Sequence, residues 1–296
     1  MRIVESVTYG KHGDPSRNED GLFIGDAFVA VVDGVTSKCR LDLWRPSPGV
    51  VARRLLLEAL SSADAGQPDL DMRGMLRLLD SSLRDRYDDV PDHPRGFFGT
   101  HPEERLAANA VVFSAARREI WLFGDCRAMV NGREIPTVKR VDVVLGDVRA
   151  MVGQLVGRAD PDDRRRMLRE LGLPADRETV EAVDDGRRDV GREAIMPLLR
   201  LQSRLANRRG EFGYFVFDGY ADPDWPVPVV GVADGDGIVL ASDGYPRLGR
   251  TLAESERMLA DLRRTDPRMI HEVHATKGFM PGLRSFDDRT YVRFTV

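Results

Sequence analysis

The run Ala27-Phe28-Val29-Ala30-Val31-Val32 is apolar at every position and is closed by Asp33-Gly34. A strand that is apolar on both faces must be covered above and below, which restricts the chain to stacked sheets or to a sheet under helices. Upstream, Leu22-Phe23-Ile24 leads into the same run through Gly25-Asp26, a tight hairpin turn.

After this hairpin the apolar period changes. Val50, Val51, Leu55, Leu56 and Leu60 mark one helical stripe, and Met72, Met75, Leu76, Leu79 and Leu83 mark a second, so two amphipathic helices are expected between Pro46 and Tyr87. A loop rich in Pro, Gly and His follows from Val90 to Glu104. Strands then return at Ala110–Phe113 and Ile120–Phe123, and Asn131-Gly132 marks a further hairpin. From about Gly146 to Gly210 the composition is Arg/Asp-rich and helical, which reads as an insertion within a single domain of residues 1–296. Tyr214–Phe217, Val227–Val232 and Gly237–Ala241 read as strands, Leu252–Arg264 as a helix, and Thr290–Val296 as a closing strand. Runs of strands interrupted by paired helices describe an α+β sandwich, not a regular βαβ array.

Lys and Arg number 44 against 48 Asp and Glu, a balance of −4, so no broad basic field exists of the kind that drives nonspecific nucleic-acid binding. The two cysteines, Cys39 and Cys126, have no metal-type spacing and suit a reducing compartment. The residues from Met1 to Glu5 lack the apolar core of an export signal, and no apolar stretch approaches the ~20 residues of a membrane span. A cytoplasmic protein with neither nucleic acid nor membrane as partner is therefore expected.

Three apolar strands end in aspartate: Val31-Val32-Asp33-Gly34, Leu122-Phe123-Gly124-Asp125 and Leu240-Ala241-Ser242-Asp243-Gly244. An acidic pair, Asp287-Asp288, precedes the last strand. Taken singly, each Asp-Gly reads as a turn, and spacing alone does not establish that the four sites converge. Carboxylates at buried strand ends are costly unless positive charge compensates them. A bound dication supplies that charge, and an all-oxygen donor set favours magnesium, manganese or calcium over zinc.

The order Asn18-Glu19-Asp20, Val32-Asp33-Gly34, Gly124-Asp125-Cys126-Arg127-Ala128, Leu240-Ala241-Ser242-Asp243-Gly244 and Asp287-Asp288-Arg289-Thr290 resembles the PPM, or type 2C, metal-dependent serine/threonine protein phosphatases in their divergent bacterial form. The resemblance runs nearly from end to end. It implies a four-layer α-β-β-α sandwich of two antiparallel sheets flanked by helices, with two Mn2+ or Mg2+ ions at one end of the sheets. By position Asp33 would bridge the metals, and Asp243 and Asp287 would complete one ligand set. The Gly34 carbonyl and Glu19 would serve the other ion, and Asp125 would serve a third. Asp20 would orient a water, and direct attack by a metal-bridging water would hydrolyse phosphoserine or phosphothreonine on a phosphoprotein, the product of a serine/threonine kinase.

Some positions depart from the family pattern. Pro15 stands where many relatives carry a phosphate-gripping arginine, leaving Arg17, Lys38 and Arg40 as candidates for that role. Val35-Thr36-Ser37-Lys38 offers no histidine as a general acid. Ala107-Ala108-Asn109-Ala110 replaces the usual Gly-Ser/Thr-Thr. These departures motivate a second reading, a pseudophosphatase that keeps the metal site and recognises a partner without turnover.

Overall fold

The computed structural model of the chain describes residues 1–36 and 38–296; Ser37 lies outside the described residues. Two antiparallel five-stranded sheets form the centre. One has the order β2 (Asp20–Ile24), β3 (Phe28–Gly34), β4 (Ala108–Ser114), β5 (Glu119–Phe123), β8 (Val229–Gly231). The other has the order β1 (Arg2–Tyr9), β10 (Arg289–Thr295), β9 (Gly237–Ala241), β6 (Arg127–Val130), β7 (Arg133–Ile135).

The strand period of two explains the layering. Val29 and Val31 face the second sheet and join Val111, Phe113, Leu122, Ile238, Leu240, Val292 and Phe294 in the core between the sheets. Phe28, Ala30 and Val32 point the other way, under α1 (Pro48–Gly66) and α2 (Met72–Arg86), where Leu56, Leu60, Met75, Leu79 and Leu83 complete a second core. On the far side Met129, Val239, Ala241 and Tyr291 pack against Leu259 and Leu262 of α8 (Leu252–Thr265). The result is an α+β sandwich, with α1 and α2 outside one sheet and α8 outside the other. The apolar run at 27–32 is thus covered on both sides, by helices and by a second sheet.

Ser47 and Asp71 start the first two helices by accepting hydrogen bonds from Val50 N and Gly74 N. The helix-rich stretch is α4 (Arg140–Arg158), α5 (Pro161–Glu170), α6 (Arg177–Asp184) and α7 (Val190–Leu201), with its own small core of Val152, Val156, Leu168, Val180, Val183 and Val190. It is fastened by Arg149, 1% exposed, whose guanidinium donates to Asp189 Oδ2 and to the carbonyls of Arg268, Met269 and Ala275.

Two details differ from the sequence expectation. Tyr214–Phe217 makes only isolated bridges, Ala206 with Tyr214 and Ala108 with Phe217. The Asn207 side chain takes up both backbone polar groups of Val216, so the segment has no ladder to join. The loop at 90–104 contains the short helix α3 (Arg95–Thr100), pinned by Phe98, whose buried ring stacks on Tyr87 at 4.3 Å.

Candidate metal and phosphate site

Strand register brings the first acids together. Antiparallel pairing sets Asp20 of β2 directly opposite Asp33 of β3, and Asp33 opposite Asn109 of β4, so three polar side chains stand abreast at one sheet end. Like charges in a cross-strand pair repel. Gly34 N donates to Glu19 O, which ties the first two motifs together. Gly124 has φ +100°, and a Cβ there would lie 2.2 Å from Asn109 Oδ1. Only glycine turns the chain at that point, delivering Asp125 beside the pair. Asp243 follows β9, and Asp287 precedes β10, the antiparallel neighbour of β9.

Asp33, Asp125, Asp243 and Asp287 line one cavity of about 80 Å³, together with the cations Lys38, Lys139, Arg192 and Lys277. Burial, and then the neighbouring aspartates, push the Asp20 and Asp33 carboxyls well above the usual carboxylate range. Burial, then Asp287 and Asp125, raise Asp243 to about 7. Asp20 Oδ2 and Asp125 Oδ1 are buried with no hydrogen-bond partner among the described residues. An all-carboxylate set in which Asp20, Asp33 and Asp243 are pushed upward and two oxygens are orphaned among the described residues fits a hard divalent cation, which would favour the ionised forms of those three acids. Among the described residues no group of three or more His, Cys, Asp or Glu side chains is placed so that it could hold a metal ion as it stands.

The other half of the acidic set does not fit an ion in the same way. Lys11 Nζ donates to Glu19 Oε2 at 3.1 Å, to Asp287 Oδ1 at 3.0 Å and to Thr36 Oγ1 at 3.2 Å, and lies 3.1 Å from Asp288 Oδ2. Ser47 Oγ donates to Glu19 Oε1 at 2.8 Å, and Lys277 Nζ pairs with Asp287 Oδ2. Burial works against the charge of Asp287, but the Lys277 and Lys11 ammoniums outweigh it and hold the carboxyl down at about 2. Here the chain supplies its own positive charge.

Of the basic residues singled out from sequence, Lys38 lines the cavity. Burial, then the charges of Lys139 and Lys277, lower its ammonium to about 8. Arg17 sits exposed on a single 3-10 turn, Pro15–Arg17, and the exposed Arg40 offers its backbone N–H to Glu104. Four basic residues at the site were not apparent in the sequence reading: Lys11, Lys139, Arg192 and Lys277. Arg192 reaches the cavity from α7, where its guanidinium donates to Thr276 O at 2.7 Å. Lys139 Nζ lies 2.9 Å from Asp142 Oδ2 and 3.7 Å from Asp125 Oδ2. Cys126, between Asp125 and Arg127, is buried. His274 lies on the surface, paired with Asp147 at 2.7 Å.

No family model matches the chain, and no curated protein sequence does. Among solved structures the chain is similar to the catalytic domain of the serine/threonine protein phosphatase PstP in complex with two manganese ions, at 16% identity over 99% of this chain and 98% of that one, with a TM-score of 0.47. It is similar to the PPM Ser-Thr phosphatase MsPP from Mycobacterium smegmatis in complex with cacodylate, at 16% identity over the whole of both chains, with a TM-score of 0.46. A third likeness is to RsbX in complex with magnesium, at 9% identity over 99% and 97% of the two chains, with a TM-score of 0.41. Functional conclusions for this chain rest on its own side chains.

Proposed function

We propose that this chain is a divergent PPM-type phosphatase that uses a divalent cation, Mn2+ or Mg2+, to hydrolyse phosphoserine or phosphothreonine on a phosphoprotein. The observation that carries this reading is a single cavity in which uncompensated carboxylates, Asp33 and Asp243 foremost, face a basic rim of Lys38, Arg192 and Lys277.

The two halves of that cavity suit the two needs of phosphoester hydrolysis. Asp33, Asp243 and Asp125, with Asp20 behind them, would hold the ion. When bound, such an ion supplies charge to neutralise phosphoryl oxygens and lowers the pKa of a water. Lys38, Arg192 and Lys277 attract and orient the phosphoryl dianion through charge-assisted hydrogen bonds. The Lys38 ammonium, lowered to about 8 by burial and by Lys139 and Lys277, holds on Nζ a proton that a departing serine or threonine oxygen can take. A pKa close to the working pH is what general-acid catalysis favours, and Lys38 answers the missing histidine after Asp33-Gly34. The Asp20 carboxyl, whose ionisation is disfavoured by burial and the surrounding acids, can orient a water with its Oδ2, which has no partner among the described residues. Among the described residues no helix is long and apolar enough to cross a membrane; a cytoplasmic phosphoprotein substrate, one made by a serine/threonine kinase, completes the proposal.

Protein stripped with a chelator should lose hydrolysis of an aryl phosphate and of phosphopeptides, and regain it as Mn2+ is restored. Asp33→Asn should lower kcat by at least ~10²-fold, the scale of losing one electrostatic contact to the transition state. Hydrolysis that survives the chelator, or an Asp33→Asn protein as fast as wild type, rules the reading out. Mn2+ binding without turnover would point instead to recognition of a partner.

A further inference from the structure

The family resemblance implies two cation positions, one of them served by Glu19 and the Gly34 carbonyl. In this chain Glu19 of that position, together with Asp287 of the other ligand set and the neighbouring Asp288, surrounds a lysine. We infer that Lys11 is the resident cation of the second position, so that the protein binds one divalent ion, on the side of Asp20, Asp33, Asp125 and Asp243. This deepens the metal-dependent reading above and rests on it.

Geometry is the first argument. Four oxygens, from Glu19, Thr36, Asp287 and Asp288, lie 3.0 to 3.2 Å from Lys11 Nζ. That is the hydrogen-bond distance of an ammonium with three donors. A small divalent ion draws its oxygens to about 2.1 Å, so this shell is sized for the nitrogen.

Engagement of the lone pairs is the second. Glu19 Oε2 also accepts from Thr36 Oγ1 at 2.9 Å, and Oε1 from Ser47 Oγ. Asp288 Oδ1 accepts from Lys11 N at 2.7 Å, and Oδ2 from Glu19 N at 3.1 Å. Asp287 has one oxygen on Lys11 and the other on Lys277. An entering ion would have to break these bonds and expel the ammonium of a residue that is only 8% exposed. The backbone of that residue is itself held, at N by Asp288 and at O by Arg284 N at 2.9 Å.

Charge is the third. Asp20, Asp33 and Asp243 have no ion-pair partner among the described residues, and Asp125 meets Lys139 only at 3.7 Å. Asp20, 2% exposed, carries a carboxylate oxygen with no hydrogen-bond partner among the described residues. Carboxylates in that state need a positive charge closer than the cations of the cavity rim stand. The deficit lies on one side of the site only.

The test is Mn2+ stoichiometry by calorimetric titration of the full, metal-stripped chain, with electron paramagnetic resonance on the same samples. Wild type should bind one ion with the spectrum of an isolated Mn2+. Lys11→Met, which keeps the length of the side chain and removes its charge, should take up a second ion and show an exchange-coupled pair. Glu19→Gln should keep the single ion, whereas Asp243→Asn should lose it. Two coupled ions in wild type would overturn the inference and leave the phosphatase reading standing. No ion in wild type overturns both. A folded Lys11→Met protein that still takes one ion overturns the role given to Lys11; should that variant not fold, as judged by circular dichroism, wild type and Glu19→Gln decide.

Discussion

The metal-free protein should become less stable as pH rises from about 4 to about 7, and a divalent ion should reverse much of that loss. Asp243 is half-buried and protonates at about 7 in the folded chain, because burial and the charges of Asp287 and Asp125 disfavour its ionised form. In the unfolded chain an aspartate ionises near 3.9. Between those values the folded state binds more protons than the unfolded one, so stability falls as pH rises. Three pH units at about 1.4 kcal/mol each amount to on the order of 4 kcal/mol. About 3 of those kcal/mol fall between pH 4.5 and pH 7.5, and for a chain of this size about 2 °C accompanies each, so the melting temperature should drop by on the order of 6 °C over that range. Asp20 and Asp33, both pushed upward, act in the same direction. Asp287, held at about 2, is ionised in the folded state throughout this window and adds only a small opposite slope near its low end, where the unfolded aspartate still titrates, and Lys38, lowered to about 8, changes stability chiefly above it. Asp80, raised to about 6 by burial and then by Asp218, adds a contribution remote from the cavity that no metal removes. The assay is thermal melting in chelator at several pH values, repeated with excess Mn2+, which binds the ionised acids and should stabilise far more at pH 7.5 than at pH 4.5. A metal-free protein that melts at the same or a higher temperature at pH 7.5, or a Mn2+ effect independent of pH, would refute the picture of an uncompensated acidic cluster.

Other consequences are more local. Arg149→Met should cost about 3–5 kcal/mol in urea unfolding, because it strips Asp189 of its ion-pair partner and leaves the carbonyls of Arg268 and Ala275 unsatisfied where the helical stretch meets residues 268–275. Gly34→Ala would put a Cβ 2.2 Å from the backbone oxygen of Gly49 and 2.8 Å from that of Glu19; since neither can rotate away, a loss of about 3 kcal/mol is expected, at the upper end of overpacking costs. Arg192→Gln should raise KM for a phosphopeptide about tenfold with little change in kcat, the signature of a lost charge-assisted contact to the substrate; an unchanged KM would remove Arg192 from the phosphate rim.

The layers were legible because their periods are unambiguous. Phe28, Ala30 and Val32 against Val29 and Val31 sort cleanly onto two faces, and Asn131-Gly132 makes its turn with both residues at positive φ, 51° and 81°. β1 escaped notice because Glu5 occupies its inward-facing row, where it pairs with Arg293 at 2.7 Å, so the apolar alternation is broken by an ion pair. The acids of the site could be found by the same logic as the strands, since each stands where an apolar run stops, and pairing puts Asp20 across from Asp33 without further information. Lys11 could not. It lies between Gly10 and His12 in a segment with no period, and a lone lysine ordinarily belongs to solvent. What gives it meaning is Asp287, 276 positions away along the chain. Carboxylates announce a cation site by their placement on the elements that carry them, whereas an ammonium that takes the place of a cation can come from any loop that reaches. The number of divalent ions such a site holds therefore follows from the acids left over after the chain's own lysines are matched to them, and the acidic motifs alone overcount it.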